Sequence, residues 1–375
     1  MNVGIDARML GPTVGGGGLG RYVEQLVKEL LQYDQKNRYL LFLKNSQQAT
    51  GIHAHNIDVR ITDTHWYTLK EQWVMPRLID REGLDLVHFP HWNVPLNLRT
   101  PFVVTIHDLI LLEEPRSAKA TTRHPFIYAA KYQAYHITLT HALKKSRAII
   151  AVSHYTKSSI LKHFPSLPEE KIHVIYEGLT DLAQILTNET SKKSDVLSPY
   201  FLYVGNAYPH KNLETLIEAF SLFHQRHPNI HLTLAGRDDL FYQRLKQKVV
   251  QQQMGPKAIR FVLNPSDQDL ARLYQGATLY LFPSRCEGFG LPPLEAMSLG
   301  VPVLASNRSS LPEILGEAAA YFNPEHATDI AQTMEKIFGD SELQIQLRQK
   351  GYEQIKRYSW SNMAKQTLQI YQSCA

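Results

Sequence analysis

Residues 279–300 have the sequence LYLFPSRCEGFGLPPLEAMSLG. The run Leu279–Phe282 is short and continuously apolar, which is typical of a strand buried on both faces of a parallel sheet. The prolines that follow suit the first turn of a helix, and Gly300 marks the end of that helix. This order of strand, glycine-containing loop and helix predicts an α/β fold.

The same alternation of apolar runs and helical patterns extends over the whole chain. In the first half it predicts strands at Val3–Asp6, Tyr39–Leu43, Asp58–Ile61, Leu86–Phe89, Phe102–Ile106 and Ala148–Val152. In the second half it predicts strands at Phe201–Val204, His231–Ala235, Ile259–Leu263, Leu279–Phe282, Pro302–Ala305 and Ala319–Phe322. A chain of 375 residues is too long for one ordinary domain. We therefore predict two α/β domains, each with a parallel sheet covered by helices on both faces.

The composition changes between the two halves. After Glu177-Gly178 the chain enters the polar stretch Thr187–Ser194 and then restarts with apolar residues. We place a hinge at residues 178–198, so that the first domain comprises residues 1–178 and the second residues 179–357. Residues 358–375 form a helical pattern after the second domain.

The composition also indicates the cellular compartment of the protein. The chain has only two cysteines, Cys286 and Cys374, which disfavours a disulfide framework or a cysteine-based zinc site. No segment resembles a signal peptide, and no run approaches the roughly 18 apolar residues that span a bilayer. We therefore expect a cytoplasmic protein, in contact with a membrane at most from its surface.

The net charge of +5 at pH 7 falls entirely in residues 1–180. No acidic residue occurs between Glu114 and Glu169, whereas residues 116–162 hold nine lysines and arginines. A surface of one sign attracts the phosphates of lipid head groups, of a lipid-linked substrate or of nucleic acid. Peripheral contact with an anionic membrane through residues 116–162 is one interpretation, and an ordinary solvated helix face is the other. Nucleic acid is disfavoured because no nucleic-acid-binding motif is present.

Ligands of open parallel sheets bind at the carboxyl ends of the strands, so the residues after each strand are the candidates. The first strand is followed by four glycines at positions 15–18. Glycines let a backbone approach a ligand closely and offer N–H groups to an anion, although a flexible connector explains such a loop equally well. The loop is too long for a dinucleotide fingerprint and no convincing ribose-binding acid follows, which disfavours a dinucleotide oxidoreductase.

His107 follows the predicted strand Phe102–Ile106. At the carboxyl edge of a sheet a histidine can donate a hydrogen bond to a sugar hydroxyl or to a departing phosphate. The alternative is a structural histidine whose hydrogen bonds are satisfied within the fold. We favour a functional role for His107.

The second half carries a stronger signal after two of its strands. Strand Phe201–Val204 leads through Asn206 to Lys211, close to a predicted helix N-terminus, where the lysine charge and the helix dipole both favour a diphosphate. Glu287 lies in the glycine loop after Leu279–Phe282, and Glu295 lies in the helix that follows. Two carboxylates often indicate glycoside hydrolysis. Here the glycines and the helix start favour carboxylates that accept hydrogen bonds from the hydroxyls of a nucleotide sugar.

Glu287 and Glu295, separated by seven residues, resemble the paired-glutamate signature of the retaining glycosyltransferases of family 4, which have the GT-B fold. The resemblance covers nearly the whole chain. It includes Asp6-Ala7-Arg8 with the glycine loop, Thr105–Asp108, Ser153, Val204–Asn212, Ser306–Glu313 and the terminal segment that begins at Trp360. It implies two Rossmann-like domains that face each other across a cleft, with a C-terminal helix that crosses back to the N-terminal domain.

The resemblance also implies roles for individual residues. Glu287 would hold hydroxyls of the donor sugar, Lys211 the diphosphate and Glu295 the ribose, while His107 would face the donor sugar from the opposite domain. His107 and Glu287 are the implied catalytic residues. The implied donor-binding residues are Gly16, Gly17, Gly18, Asn206, Lys211, Gly288, Phe289, Gly290, Leu291 and Glu295. Many members of the family have arginine where this chain has Asn206.

The implied activity is transfer of a hexose from a nucleoside diphosphate sugar to a saccharide or lipid-linked saccharide acceptor, with retention of configuration. The amino-acid sequences of these motifs are similar to those of bacterial mannosyltransferases of polysaccharide assembly, so we favour GDP-mannose over UDP-glucose. We expect no cofactor and no metal site, because we see no DxD-like carboxylate pair at a strand end suited to the diphosphate and Lys211 can neutralise the diphosphate. The alternatives are a nucleotide-sugar epimerase of the same architecture, and a sugar-nucleotide sensor without activity.

Overall fold

The computed structural model describes residues 1–11, 17–52, 54–114, 125–180, 182, 199–252, 254–255 and 257–374. The chain folds into two compact units. The first unit comprises Met1–Leu109, Thr121–Gly178 and Ser359–Ala375, and the second comprises Ile110–Ala120 and Leu179–Tyr358. Most of the hinge predicted at 178–198 lies outside the described residues.

Strands and helices alternate along the described part of the chain. The strands are β1 Asn2–Asp6, β2 Arg38–Leu43, β3 Ile57–Ile61, β4 Leu86–Phe89, β5 Phe102–Ile106, β6 Ala148–Ala151, β7 Ile172–Val174, β8 Tyr200–Val204, β9 His231–Gly236, β10 Ile259–Leu263, β11 Leu279–Phe282, β12 Val303–Ser306 and β13 Ala319–Phe322. The α-helices are α1 Gly18–Tyr33, α2 Leu69–Asp80, α3 Ile110–Glu113, α4 Pro125–Lys145, α5 His154–His163, α6 Leu213–His224, α7 Leu240–Gln251, α8 Asp267–Gly276, α9 Leu291–Ser298, α10 Leu311–Leu315, α11 Ala327–Phe338, α12 Ser341–Ile355 and α13 Trp360–Cys374.

The described sheet of the first unit has the strand order β3-β2-β1-β4-β5-β6-β7. All neighbouring strands run parallel, as in the pairs Val3 with Tyr39 and Val3 with Leu86. Because the chain proceeds outward from β1 in one direction and from β4 in the other, a crevice opens between the carboxyl ends of these two strands. Asp6 ends β1 and Phe89 ends β4 at this crevice.

The last helix packs on the first unit. Tyr22 of α1 and Tyr371 of α13 are fully buried in one apolar cluster with residues of β1 and β2. The contact at the start of α13 is close, because a Cβ atom added to Gly178 would lie 2.1 Å from the backbone nitrogen of Trp360. The expected return of the C-terminal helix to the N-terminal domain is confirmed.

The described sheet of the second unit has the strand order β10-β9-β8-β11-β12-β13, again with every neighbouring pair parallel. The corresponding crevice lies between the carboxyl ends of β8 and β11. The predicted fold class, two α/β domains with parallel sheets, is confirmed. Strand β12 begins at Val303 and not at the predicted Pro302, since proline has no N–H for the sheet. Strand β7 adds an edge strand to those predicted.

The length and apolar character of the helices decide whether one of them could cross a membrane. None of the helices in the described ranges combines the length and the apolar character that crossing a bilayer requires.

Candidate functional site

Two loops meet at the crevice of the second sheet, one after β8 and one after β11. Asn212 joins them, since its side-chain amide donates hydrogen bonds to the carbonyl oxygens of Pro283 at 3.2 Å and Pro324 at 2.8 Å. The backbone N–H of Arg285 also donates to the carbonyl oxygen of His210 at 2.8 Å. Asn212 adopts the left-handed conformation, with a φ of 60°, which asparagine tolerates better than most residues. The two loops are therefore fixed against each other.

Lys211 and Glu287 form an ion pair where these loops meet. The Nζ atom of Lys211 lies 2.6 Å from Oε1 of Glu287, and the two side chains are 14% and 10% exposed. A short hydrogen bond between charged groups of low exposure is among the stronger ones in proteins. The structure thus brings together the residues predicted to hold the diphosphate and the donor sugar.

The backbone around Glu287 is held by two serines before α10. The N–H of Glu287 donates to Oγ of Ser309 at 3.0 Å. The hydroxyl of Ser310 donates to the carbonyl oxygens of Glu287 at 3.0 Å and Phe289 at 3.1 Å. Ser309 itself has a φ of 55°, a conformation that is costly for a serine and that recurs at functional sites. These serines lie in the Ser306–Glu313 segment of the resemblance, but nothing in the sequence indicated their bonds to the loop.

The loop passes into α9 at Gly290. Gly290 has a φ of 103°, and a Cβ atom there would lie 2.9 Å from Cδ2 of Leu311, so both the conformation and the space favour glycine. Pro292 and Pro293 occupy the first turn of α9, as predicted from the sequence. The predicted donor-binding residues 288–291 therefore line the entry to this helix, where backbone N–H groups lack partners within the helix.

Glu295 lies in the second turn of α9 and is buried. The hydroxyl of Tyr274 donates to Oε2 of Glu295 at 3.1 Å. Burial, with the charge of Glu295 nearby, raises the pKa of Tyr274 well above its ordinary value, so the phenol stays a donor. Glu295 is therefore oriented by a tyrosine that the sequence did not identify.

Asn206 follows Gly205 at the end of β8. Its carbonyl oxygen accepts from the hydroxyl of Tyr203 at 2.7 Å, and its Oδ1 atom accepts from the N–H of Tyr208 at 3.3 Å. The hydroxyl of Tyr242 donates to the carbonyl oxygen of Gly205 at 2.8 Å. The structure thus places Asn206 in a braced loop, on the same crevice as Lys211.

His107 lies in the first unit, directly after β5. Its Nδ1 atom is 2.8 Å from Oε1 of Glu177, and its Nε2 atom is 3.0 Å from the carbonyl oxygen of Pro90. Both partners can only accept hydrogen bonds, so they suit an imidazolium that donates from both nitrogens. Burial alone would lower the pKa of His107, but the hydrogen bond and charge of Glu177 and the charge of Asp108 raise it overall.

Glu177 was not among the predicted site residues. It lies shortly after β7, at the carboxyl edge of the same sheet, and 70 residues separate it from His107. The strand-end rule that identified His107 could have identified Glu177 as well, but only with β7 assigned as a strand.

We expect Glu177→Gln to destabilise the protein more at pH 6 than at pH 9. The raised pKa of His107 means that the native state favours the imidazolium. This stabilisation is fully present below the unfolded-state pKa of about 6.5 and is lost as the pH rises through the higher native pKa. Loss of the carboxylate charge should lower the free energy of unfolding at pH 6 by about 1–3 kcal/mol, with a smaller loss at pH 9. Urea unfolding at the two pH values measures this difference.

Glu335→Gln is the matched control, because Glu335 forms the same type of pair with a histidine at a more exposed position. Glu335 lies 2.8 Å from Nε2 of His227, and the side chains of Glu335 and His227 are 26% and 30% exposed. Its effect should be small at both pH values. An equal loss of stability at pH 6 and pH 9 for Glu177→Gln would show that Glu177 does not keep His107 protonated.

The glycine loop of the first unit is described in part. Helix α1 begins at Gly18, and Gly17 before it has a φ of 77°. Neither glycine has an atom within 4 Å of an added Cβ position, so the need for glycine at position 17 is conformational. The predicted residue Gly16 lies outside the described residues.

The described residues include no group of three or more histidine, cysteine, aspartate or glutamate side chains in an arrangement that could hold a metal ion.

The two halves of the chain match two models of known protein families. Residues 16–181 match the one described as Glycosyltransferase Family 4, and residues 187–354 match the one described as Glycosyl transferases group 1.

The chain is also similar to individual proteins over much of its length. It is 30% identical to O-antigen chain mannosyltransferase B of Escherichia coli, with 94% of this chain and 95% of that protein covered. It is 30% identical to O-antigen chain mannosyltransferase RfbU of Salmonella typhimurium, with 71% of this chain and 68% of that protein covered. Sucrose-phosphate synthase from Thermosynechococcus elongatus shares the fold, with a TM-score of 0.76, 20% identity and coverage of 100% of this chain and 98% of that one.

Proposed function

The chain belongs to glycosyltransferase family 4, and from this membership we propose that it transfers a hexose from a nucleoside diphosphate sugar to a saccharide or lipid-linked saccharide acceptor in polysaccharide biosynthesis. We propose mannose as the hexose and retention as the stereochemical course. The observation that carries the proposal is the ion pair of Lys211 and Glu287 at the crevice of the second sheet.

This pair suits a site for a sugar bound to a diphosphate. A diphosphate that binds beside Lys211 attracts the ammonium group away from Glu287, and the N-terminus of α6, which begins at Leu213, adds its dipole on the same side. The carboxylate of Glu287 is then available to accept hydrogen bonds from sugar hydroxyls. The exchange of partners uses groups that are already in place, so little reorganisation accompanies binding.

The same groups support bond cleavage. In the proposed reaction the bond between the anomeric carbon and the diphosphate oxygen breaks, and the acceptor oxygen bonds to that carbon on the same face. The acceptor proton passes to the departing diphosphate, so no nucleophilic side chain is required. Negative charge grows on the diphosphate as the bond breaks, and Lys211 stabilises it without a metal ion. The proposal that the reaction is independent of metal rests on this lysine and the helix N-terminus.

We propose GDP-mannose as the donor. The relatives with 30% identity are named mannosyltransferases. The motifs from Val204 to Asn212 and from Arg285 to Gly290 also resemble, in amino-acid sequence, the corresponding motifs of such enzymes. UDP-glucose is the alternative donor. A nucleotide-sugar epimerase is the alternative activity, and it would convert its substrate in the absence of any acceptor.

Calorimetric titration of the purified protein with GDP, UDP and ADP, each with and without EDTA, tests the proposal. We expect GDP to bind more tightly than the other two nucleotides, with an affinity that EDTA does not change. If no nucleotide binds, or if binding requires a divalent ion, the proposed diphosphate site at Lys211 is wrong. Preference for UDP would replace the donor and leave the rest of the proposal in place.

We also propose that the protein works at the cytoplasmic face of a membrane, through basic residues of the 116–162 segment. Lys144 and Lys145 at the end of α4 and Arg147 after it are all exposed. Replacement of these three residues by glutamine should weaken binding to vesicles that contain anionic lipid, by about 1 kcal/mol for each charge. Vesicle co-sedimentation at low and high salt measures this effect. Unchanged binding would show that the basic segment is an ordinary solvated surface.

A further inference from the structure

Three fully buried tyrosines hold the backbone of the loop that follows β8. They belong to three different elements, namely β8, α7 and β11. The hydroxyl of each donates a hydrogen bond to one of three consecutive carbonyl oxygens: Tyr280 to Val204 at 3.3 Å, Tyr242 to Gly205 at 2.8 Å and Tyr203 to Asn206 at 2.7 Å. We call these three side chains the tyrosine clamp.

The clamp leaves its hydroxyls little freedom. Burial raises the pKa of all three phenols above its ordinary value, so each keeps its proton near neutral pH and remains a donor. The fit is also close. An added Cβ atom at Gly205 would lie 2.6 Å from the hydroxyl of Tyr203, and one at Gly236 would lie 2.4 Å from the hydroxyl of Tyr242. The hydrogen bonds therefore fix the loop in one conformation.

The rings of the clamp extend to the lysine of the proposed donor site. Tyr203 and Tyr280 both stack on Phe282, with ring centres 6.3 and 6.1 Å from that of Phe282. The ammonium group of Lys211 lies 5.5 Å from the centre of the same Phe282 ring. The clamp and Lys211 thus contact one aromatic side chain, at the crevice between β8 and β11.

The direction of the carbonyl groups also determines the direction of the neighbouring N–H groups. In a planar trans peptide the C=O and the N–H that follows it point in opposite directions. The carbonyls of Gly205 and Asn206 point to the buried phenols, so the N–H groups of Asn206 and Ala207 point to the opposite side of the loop. Residues 205–207 are half-buried there, in contrast to the phenols. Backbone N–H groups at the end of a strand are common partners of a phosphate.

We propose that Tyr203, Tyr242 and Tyr280 are positioning residues for the donor, whose hydroxyls hold the loop after β8 so that its N–H groups meet the diphosphate. This inference rests on the proposed function, since it assumes a nucleoside diphosphate at this crevice. Without one hydroxyl, a carbonyl of the loop loses its partner and the loop populates other conformations. The dissociation constant then rises in inverse proportion to the fraction of the protein that keeps the binding-competent loop.

Tyr203→Phe and Tyr242→Phe test the inference, because each keeps the ring and removes one hydroxyl. We expect each to raise the dissociation constant for GDP about three- to tenfold in calorimetric titration, which is the effect of losing one hydrogen bond. Tyr280→Phe should have a smaller effect, since its bond is longer. Tyr200→Phe is the matched control and should stay within about twofold of the wild type. Tyr200 is also buried and donates to a carbonyl oxygen, that of Leu273 at 2.7 Å, but from the first residue of β8.

Steady-state release of GDP from GDP-mannose, with urea unfolding alongside, separates positioning from a purely structural role. A bound donor selects the competent loop, so KM should rise in Tyr203→Phe and Tyr242→Phe while kcat stays within about twofold of the wild type. Tyr200→Phe should lose a similar amount of stability in urea but keep its KM, because the lost bond lies at the other end of the strand.

Three results would overturn the positioning role while the wild type still binds a nucleotide. They are unchanged affinity in both Tyr203→Phe and Tyr242→Phe, an equal loss of affinity in Tyr200→Phe, and a fall in kcat with KM unchanged. The proposed function has a different point of failure. If the wild type binds neither GDP nor UDP, the donor site itself is refuted.

Discussion

Glu287→Gln is expected to lower the turnover number by at least about 10²-fold while the fold and nucleotide binding are retained. Glutamine has nearly the shape of glutamate, so the hydrogen bonds of the loop backbone to Ser309 and Ser310 should persist. The change removes the negative charge beside the proposed sugar position. It also removes the carboxylate that competes with the diphosphate for Lys211, so GDP should bind at least as tightly as to the wild type.

Steady-state kinetics for the donor and calorimetric titration with GDP measure these two expectations separately. Glu317→Gln is the matched control, because Glu317 also pairs with a lysine, Lys350 at 3.1 Å, but on the surface of the second unit. Turnover near that of the wild type in Glu287→Gln would remove Glu287 from the active site.

Lys211→Ala is expected to impair both nucleotide binding and turnover. Loss of a hydrogen-bonded cation at the diphosphate should raise the dissociation constant for GDP about tenfold or more, and should lower turnover by about 10²–10³-fold. The side chain of Glu287 is only 10% exposed, and the variant leaves its carboxylate without the charged partner Lys211. The free energy of unfolding should therefore fall by about 3 kcal/mol or somewhat less.

The double variant Lys211→Met, Glu287→Gln tests whether the ion pair itself accounts for that loss. It replaces both charges with neutral groups of similar size, so it should be more stable than Lys211→Ala. Lys350→Ala serves as the control for loss of a lysine in an exposed pair. If Lys211→Ala binds GDP as the wild type does, the diphosphate lies elsewhere.

Together the two substitutions separate binding from chemistry at one site. Glu287→Gln should lower turnover and, because it leaves Lys211 without its charged partner, some stability, but it should not weaken nucleotide affinity. Lys211→Ala should lower turnover, nucleotide affinity and stability. The contrast follows from the proposed roles, in which Lys211 supplies the positive charge for the phosphates and Glu287 supplies the acceptor atoms for the sugar. An identical profile for both variants would contradict this division of roles.

Much of the fold could be predicted from the sequence because its determinants are local. An apolar run such as Leu279–Phe282 is buried on both faces wherever it sits in a parallel sheet. This pattern located the described strands other than β7 to within about two residues. The strand-end rule then selected Lys211 and Glu287, which the structure places 2.6 Å apart. The separation of 76 residues between them in the sequence does not predict this short distance. The two residues come together only because β8 and β11 are neighbours in the sheet.

The partners of the selected residues could not be predicted. His107 meets Glu177 across 70 residues, and Tyr274 meets Glu295 from another helix. The choice of partner depends on which loops the sheet order brings to the same edge, and on the direction of each side chain after packing. Neither is encoded in a local pattern of residue types.

The sequence by itself determined the α/β class, the alternation of strands and helices, and the chemical types of the residues at the strand ends. Only the tertiary structure decided that Arg8 is held by Asp6 and Glu71 and that Tyr67 takes a left-handed conformation beside them. The physical reason is the distance along the chain over which the interactions act. Secondary structure follows from interactions over a few residues, whereas the charge and shape of a site depend on side chains that only chain folding brings into contact.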